Sequence, residues 1–123
     1  MTIDANIAIA FLGGDTLVVS ELSKWREEGL PLFLSTVAET EILSFSHWTS
    51  QERIATEQFL EQNFTSIPFD RNLSRIAASI RRDVKIRFPD AAIAATALFT
   101  HTPLVTRNQR DFKRIPNLRI VSM

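Results

Sequence analysis

The chain of 123 residues carries 14 acidic and 14 basic side chains, so its formal net charge at neutral pH is zero. Hydrophobic residues make up 45% of it and charged residues 23%, a balance typical of one soluble folded domain with its own core. Cysteine is absent and no apolar run is long enough to cross a bilayer, which excludes disulfides, thiolate metal sites and a membrane span. The first residues also lack the basic segment of a signal peptide, so we expect a cytoplasmic protein.

Short apolar strands alternate with helices along the chain. The predicted strands are residues 1–4, 31–34, 65–69, 103–106 and 118–122. The predicted helices are residues 6–12, 15–28, 36–45, 50–63, 70–84 and 89–102, with a polar turn of short helical potential at 107–113. Short apolar strands are typical of a parallel sheet covered on both faces. The sequence therefore predicts a single domain, residues 1–123, with a three-layer α/β/α fold and a central, mainly parallel sheet of about five strands.

Several predicted helices carry a chemical signal at their first residue. Asp15 and Asp70 can each cap a helix, because a carboxylate accepts hydrogen bonds from the free N–H groups of the first turn. Thr49 followed by Glu52 is a capping-box pattern. Pro89 suits a first turn, and the alanine-rich sequence after it is apolar all round, which predicts a buried helix. On the helix that Thr49 begins, the residues predicted to face inward are Ile54, Ala55 and Phe59.

Charge is divided unevenly along the chain. Residues 1–70 contain three basic and eleven acidic side chains, whereas residues 71–123 contain eleven basic and three acidic ones. This asymmetry favours an anionic partner such as nucleic acid, although the basic residues could equally serve only to solvate helix faces. The candidates for contacting phosphates are Arg71, Arg75, Arg82, Arg107 and Arg110.

Acidic side chains fall near the predicted carboxyl ends of several strands, where ligand sites form in open α/β sheets. Asp4 follows the first strand, and Glu41 lies in the helix after the second. Asp90 begins the buried helix, and Asp111 follows the fourth strand together with Asn108. Taken alone, Asp90 is better explained as a carboxylate that the helix dipole favours than as a metal ligand. Clustered carboxylates, however, require a cation, and oxygen ligands suit Mg²⁺ or Mn²⁺.

Four segments resemble the motifs of the PIN-domain family, and within it the VapC-type toxins of bacterial toxin–antitoxin pairs. They are residues 3–7 (Ile-Asp-Ala-Asn-Ile), 34–43 (Leu-Ser-Thr-Val-Ala-Glu-Thr-Glu-Ile-Leu), 89–97 (Pro-Asp-Ala-Ala-Ile-Ala-Ala-Thr-Ala) and 104–112 (Leu-Val-Thr-Arg-Asn-Gln-Arg-Asp-Phe). The segments occur in the family's order and span nearly the whole chain. The resemblance implies a PIN-like fold, a Mg²⁺- or Mn²⁺-dependent endoribonuclease, an RNA substrate, a cognate antitoxin protein and a homodimer.

The resemblance also implies roles for individual residues. Asp4, Glu41 and Asp90 match the family's acidic triad, and Asp111 matches a fourth acid. Glu41 is favoured over Glu39 because it precedes a hydrophobic residue, as the family's acid does. The residues assigned to the metal are Asp4, Asp90 and Asp111, with Glu41 as a further catalytic acid. The supporting residues are Asn6, Ser35, Thr106 and Asn108.

Two other functions remain open on the sequence. One is a non-catalytic nucleic-acid-binding module that keeps the PIN fold. The other is a different Mg²⁺-dependent phosphoryl-transfer domain, such as a receiver or a phosphatase. A receiver needs adjacent acids at its first strand, which the chain lacks, and an Asp-x-Asp phosphatase fails because position 6 is asparagine.

Overall fold

A computed structural model describes all 123 residues. The strands are β1 (Thr2–Ile3), β2 (Phe33–Ser35), β3 (Thr65–Ile67), β4 (Leu104–Thr106) and β5 (Ile120–Ser122). The helices are α1 (Ala5–Leu12), α2 (Thr16–Glu27), α3 (Thr36–Leu43), α4 (Ser50–Asn63), α5 (Arg71–Asp83), α6 (Phe88–Thr100) and α7 (Gln109–Phe112). The five strands form one sheet in the order β3-β2-β1-β4-β5, and every pairing is parallel. The predicted three-layer α/β/α fold with a parallel five-stranded sheet is confirmed.

The central strand β1 is only two residues long, yet it pairs with a strand on each side. Thr2 lies opposite Phe33 in β2, and it also lies opposite Leu104 in β4. The ladder continues past the strand, because the Asp4 N–H donates to the Val105 carbonyl oxygen at 3.0 Å. The short strand therefore still fixes Asp4 at the carboxyl edge of the sheet.

Helix α6 forms the centre of the core. Every residue from Ala91 to Ala97 is buried, and small alanine side chains let the helix approach the sheet closely. The one polar side chain in this run, Thr96, donates its hydroxyl hydrogen to the Ala92 carbonyl oxygen at 3.0 Å. At the far end of the helix, the Thr100 hydroxyl lies 3.2 Å from that of Thr2. The helix thus ends at the amino edge of the sheet and begins at the carboxyl edge.

The predicted helix starts agree with the structure. Asp15 and Asp70 accept hydrogen bonds from the N–H groups of Val18 and Leu73, at 3.2 and 3.1 Å. The Thr49 capping box is complete, with Thr49 and Glu52 each accepting a hydrogen bond from the other's backbone N–H. No single helix is long and apolar enough to cross a membrane, and the one pair that reaches that length and composition, α1 with α2, is bent by 102°.

The inward face of α4 was predicted wrongly at two of its three residues. Thr56 and Leu60 are the buried residues of this helix, whereas Ile54 is 49% exposed and Ala55 is also exposed. Ile54 stands six positions before Leu60, so on an α-helix the two side chains point about 120° apart. Thr56 can be buried because its hydroxyl donates to the Glu52 carbonyl oxygen at 2.8 Å. A pattern of hydrophobic residues does not identify a threonine that is buried because its hydroxyl bonds within the helix.

Two strands also begin two residues later than predicted. The second spans Phe33–Ser35 and not residues 31–34, and the last begins at Ile120 and not at residue 118. Leu32 is buried but precedes the strand, while the buried polar residue Ser35 belongs to it. Burial and ladder pairing are separate properties, and the sequence pattern reports only burial.

Candidate active site

Asp4 is the most tightly held of the predicted acids. It is only 5% exposed and caps α1, with Oδ1 accepting from the Ala5 N–H at 2.8 Å. Its Oδ2 accepts from the hydroxyl of Thr106 at 2.7 Å, and that hydroxyl accepts in turn from the Asn108 N–H at 2.9 Å. Burial raises the pKa of Asp4, the two hydrogen bonds oppose that rise, and the charge of Asp111 adds to it. The end of β4 therefore orients this carboxylate.

Asp90 stands in the first turn of α6 and is partly buried. No side-chain hydrogen bond caps this helix, so a capping interaction does not account for the residue. Burial raises the pKa of Asp90 and the charge of Asp4 raises it further, while Arg87 lowers it and Asp111 raises it. The acid at the start of the buried helix thus faces acids from two other elements.

Glu41 and Glu39 lie on the same helix, α3, but have different neighbours. Burial raises the pKa of Glu41, and the charges of Asp90 and Asp4 raise it further. Burial also raises the pKa of Glu39, but its interacting charges are Glu61 and Glu57, both on α4. Glu41 is therefore the glutamate of α3 that faces the other acids.

Asp111 completes a set of four carboxylates from four elements. It is exposed on α7, and its charge raises the pKa of both Asp4 and Asp90. The four carboxylates interact through their charges, but no three of them lie close enough together to hold a metal ion directly. A hard divalent cation commonly takes one or two carboxylates and keeps several waters. The donor set fits an ion of that kind, held partly through water.

The supporting residues differ in what they touch. Thr106 bonds Asp4 directly, as described above. The hydroxyl oxygen of Ser35 accepts from the Val37 N–H at 3.1 Å, so Ser35 caps α3 and makes no hydrogen bond to an acid. Asn6 accepts from the Arg107 N–H at 3.5 Å, which connects α1 to the loop after β4. Asn108 reaches the site through its backbone N–H, and its side chain is exposed.

A cleft of about 410 Å³ opens beside Asp90 and Asp111. Its lining residues are Val84, Lys85, Ile86, Arg87, Asp90, Arg110, Asp111, Lys113 and Arg114. We call this the basic cleft, because five of these side chains are cations. None of the five forms a salt bridge; the two in the structure join Arg53 to Glu57 and Arg107 to Asp15. The cations of the cleft are therefore free to bind an anion.

The predicted phosphate contacts divide into two groups. Arg110 lines the basic cleft, and Arg107 lines an adjoining one that also includes Asp111. Arg71, Arg75 and Arg82 are exposed on α5 and line neither cleft.

The prediction missed the other four cations that line the basic cleft, namely Lys85, Arg87, Lys113 and Arg114. All but Lys85 lie within three positions of Asp90 or Asp111 along the chain. Closeness in sequence to a candidate acid was the available signal.

A parallel sheet of this order, with acids from four elements at its carboxyl edge, defines a PIN-like domain. The chain matches the PIN domain family over residues 1–118. It belongs to that family, and the predicted resemblance is confirmed.

Among curated proteins, the chain is similar to Ribonuclease VapC from Rickettsia bellii (strain RML369-C). The two are 32% identical over 71 residues, which cover 54% of this chain and 53% of that protein. The match thus spans about half the length of the curated relative.

Solved structures resemble the chain over almost its full length. VapBC2 from Rickettsia felis, bound to a DNA fragment from its promoter, superposes with a TM-score of 0.86 at 18% identity, over 99% of this chain and 97% of that one. A toxin–antitoxin complex from Klebsiella pneumoniae superposes with a TM-score of 0.80 at 25% identity, over 99% of this chain and 98% of that one. DNA-bound VapBC from Salmonella typhimurium superposes with a TM-score of 0.82 at 19% identity, over 98% of this chain and 96% of that one.

Proposed function

We infer that this protein is a divalent-metal-dependent endoribonuclease and the toxin of a toxin–antitoxin pair. The observation that carries this inference is the electrostatic interaction among Asp4, Glu41, Asp90 and Asp111, four acids from separate elements, beside a cleft of unpaired cations. The similarity to Ribonuclease VapC and to VapBC complexes supports it. Acids that perturb one another's pKa values in a cleft are typical of catalytic sites.

The proposed cofactor is Mg²⁺ or Mn²⁺. Asp4, Asp90 and Asp111 would hold it in part through bridging water, since no three acids lie close enough together to bind it directly. When bound, such an ion lowers the pKa of a bound water and offsets the charge that develops on a phosphodiester. The hydrogen bond from Thr106 keeps Asp4 oriented toward the site. Glu41, whose pKa is raised by burial and by Asp90 and Asp4, is suited to accept a proton from the water that attacks phosphorus.

The basic cleft is the proposed path of the RNA backbone. Arg87, Arg110, Lys113 and Arg114 would bind phosphates on one side of the cleavage point, with Lys85 at the same cleft. Arg107 lies nearby but is paired with Asp15 at 2.7 Å, so it is less free to do so. Single-stranded or loop RNA fits best, since its backbone can enter such a cleft without unwinding a duplex.

The proposed partners are an antitoxin and a second copy of the chain, in the cytoplasm. The solved structures that resemble this chain include a toxin–antitoxin complex and VapBC assemblies. A bound antitoxin segment would cover the acids and block entry of RNA. Light scattering of the purified protein, alone and with the antitoxin, measures both associations.

The decisive experiment replaces Asp90 with asparagine, which keeps the size of the side chain and removes its charge. We expect Asp90→Asn to cut RNA in Mg²⁺ at least about a hundredfold more slowly than the parent, since it removes one charged group of the site. The matched control is Asp83→Asn, because Asp83 is an exposed acid at the end of α5 that lines neither cleft.

Circular dichroism establishes that both variants are folded. A folded Asp90→Asn protein that cleaves as fast as the parent would show that the site is assigned wrongly. Absence of metal-dependent cleavage by the parent itself would favour a non-catalytic PIN module.

A further inference from the structure

Two phenylalanine rings lie together at the carboxyl edge of the sheet. Phe69 follows β3, and Phe88 is the first residue of α6, two positions before Asp90. Their ring centroids are 5.5 Å apart and the ring planes are inclined by 89°, an edge-to-face arrangement. Phe88 nevertheless remains 45% exposed. We propose that Phe88 is a stacking platform for one base of the bound RNA, which rests on the function inferred above.

The ring of Phe88 is held in place before any ligand binds. Phe69 packs against the core, and its backbone N–H donates to the Thr36 hydroxyl oxygen at 3.0 Å. Thr36 begins α3, so Phe69 is attached to a rigid element, and its edge-to-face contact then limits the motion of the Phe88 ring. An aromatic side chain that is already ordered loses little conformational entropy when a base stacks on it.

The sheet order places this ring on one side of Asp4 and the cations Lys113 and Arg114 on the other. The strands run β3-β2-β1-β4-β5, so Phe69 after β3 and Asp111 after β4 lie on either side of Asp4 after β1. Lys113 and Arg114 extend the β4 side. A single strand whose phosphates bind these cations and whose backbone crosses the acids therefore continues toward Phe88.

Arg87 connects the two ends of this path. It lines the basic cleft with Asp90 and directly precedes Phe88 in the chain. A cation beside an exposed aromatic ring suits a nucleotide, because the cation binds the phosphate while the ring stacks on the base. Stacking of this kind tolerates any base, so Phe88 contributes affinity and position with little sequence preference.

Helix α6 carries its own control residue. Phe99 stands near the other end of the helix, at the amino edge, and is also 45% exposed. It lines neither cleft and has no aromatic partner. Phe88 and Phe99 thus lie on the same helix and have the same exposed fraction, but only Phe88 lies near the acids and the basic cleft.

The test measures binding of a fluorescein-labelled, mixed-sequence single-stranded RNA by anisotropy, in the Asp90→Asn background, which prevents cleavage during the measurement. We expect Phe88→Ala and Phe88→Leu to weaken binding about tenfold, since a stacked base contributes roughly that factor. Phe88→Trp should retain parental affinity, and Phe99→Ala should bind as the background protein does. The leucine variant keeps an apolar side chain against Phe69, so weaker RNA binding by this variant is due to the missing aromatic ring and not to a disturbed fold.

A second set of RNAs locates the base. Abasic nucleotides are placed one at a time along the oligonucleotide, and each RNA is measured with the background protein and with its Phe88→Leu variant. At the position that stacks on Phe88, removing the base should weaken binding to the background protein and leave binding to the Phe88→Leu variant unchanged. This non-additivity is the signature of direct contact.

Unchanged RNA affinity in Phe88→Leu and Phe88→Ala would overturn the proposal. A shift from dimer to monomer in light scattering, with RNA affinity per protomer unchanged, would also overturn it and assign Phe88 to self-association. Failure of the proposed function gives a different result, namely no metal-dependent cleavage by the parent protein. The two failures are therefore distinguishable.

Discussion

The two edges of the sheet, joined by α6, differ in how their polar groups are satisfied. At the amino edge, the Thr2 hydroxyl lies 2.7 Å from that of Thr102, and the Thr100 hydroxyl lies 2.8 Å from it. These groups are neutral and satisfy one another. At the carboxyl edge, burial and mutual repulsion raise the pKa values of Asp4 and Asp90.

The difference separates stability from function within one helix. Hydrogen-bonded hydroxyls stabilise the packing of α6 on the sheet, whereas ionised acids held near one another destabilise the fold. Proteins retain such a destabilising arrangement at sites where a bound ligand offsets the repulsion. The acidic edge is therefore the functional edge, and substitutions at the two edges should have opposite effects.

The largest expected effect is a difference in RNA cleavage rate between variants of the two glutamates of α3. Glu41→Gln should slow RNA cleavage by about 10²–10⁴-fold, because it removes the group proposed to accept the proton of the attacking water. Glu39→Gln is the matched control, since burial raises the pKa of this residue too but its charged neighbours lie on α4. Single-turnover cleavage in Mg²⁺ measures both. A comparable loss in the Glu39→Gln protein would show that the wrong glutamate was assigned.

A smaller effect is expected at the amino edge. Thr2→Val keeps the side-chain shape and removes a hydroxyl that is fully buried between Thr100 and Thr102. We expect a loss of about 1 kcal/mol in the free energy of unfolding, at the low end for a buried hydroxyl, because Thr100 and Thr102 can still bond each other.

Urea denaturation measures this loss, with Thr65→Val, an exposed threonine of β3, as the control. RNA cleavage should be unchanged in both variants. Slower cleavage by a fully folded Thr2→Val protein would contradict the separation of the two edges.

Much of the fold was predictable because its signals are local. Asp15, Thr49 and Asp70 each mark a helix start through hydrogen bonds within one turn, and all three are formed. The all-round apolarity after Pro89 likewise identified the buried helix. The inward face of α4 was not predictable in the same way, since the phase of that helix depends on Leu60 meeting the core and on Thr56 satisfying its own hydroxyl.

The acids of the candidate site were easier to predict than its cations. Asp4 follows β1 and Asp90 stands in the first turn of α6, while Glu41 and Asp111 lie on the helices that follow β2 and β4. Parallel strands bring such positions to one edge of the sheet. Exposed arginines carry a weaker signal: Arg114 after α7 differs from Arg75 on α5 only in standing three positions from a candidate acid, Asp111. Only the packing of the loop before α6 beside α7 shows that Arg114 and Arg87 line one cleft.

The smallest expected effect is a pH dependence of stability in the metal-free protein. The pKa of Asp90 is raised in the folded state by burial, Asp4 and Asp111, with Arg87 opposing. Between the ordinary carboxyl pKa and this raised value, the folded state binds more protons than the unfolded state, so stability falls as pH rises. The favourable contribution is fully present below the unfolded pKa and is lost as pH rises through the folded one.

Asp90→Asn removes the ionised carboxylate, so without metal it should be more stable than the parent near neutral pH, and the difference should shrink as the solution is acidified toward the ordinary pKa of aspartate. Asp15 and Glu52 have lowered pKa values and act in the opposite direction, but both proteins contain them and their effect cancels in the difference. Urea denaturation in a chelating buffer at several pH values measures this difference. A difference that stays constant with pH, or that grows on acidification, would mean that Asp90 is not held against the other acids, and the contrast between the two edges would then have to be explained without it.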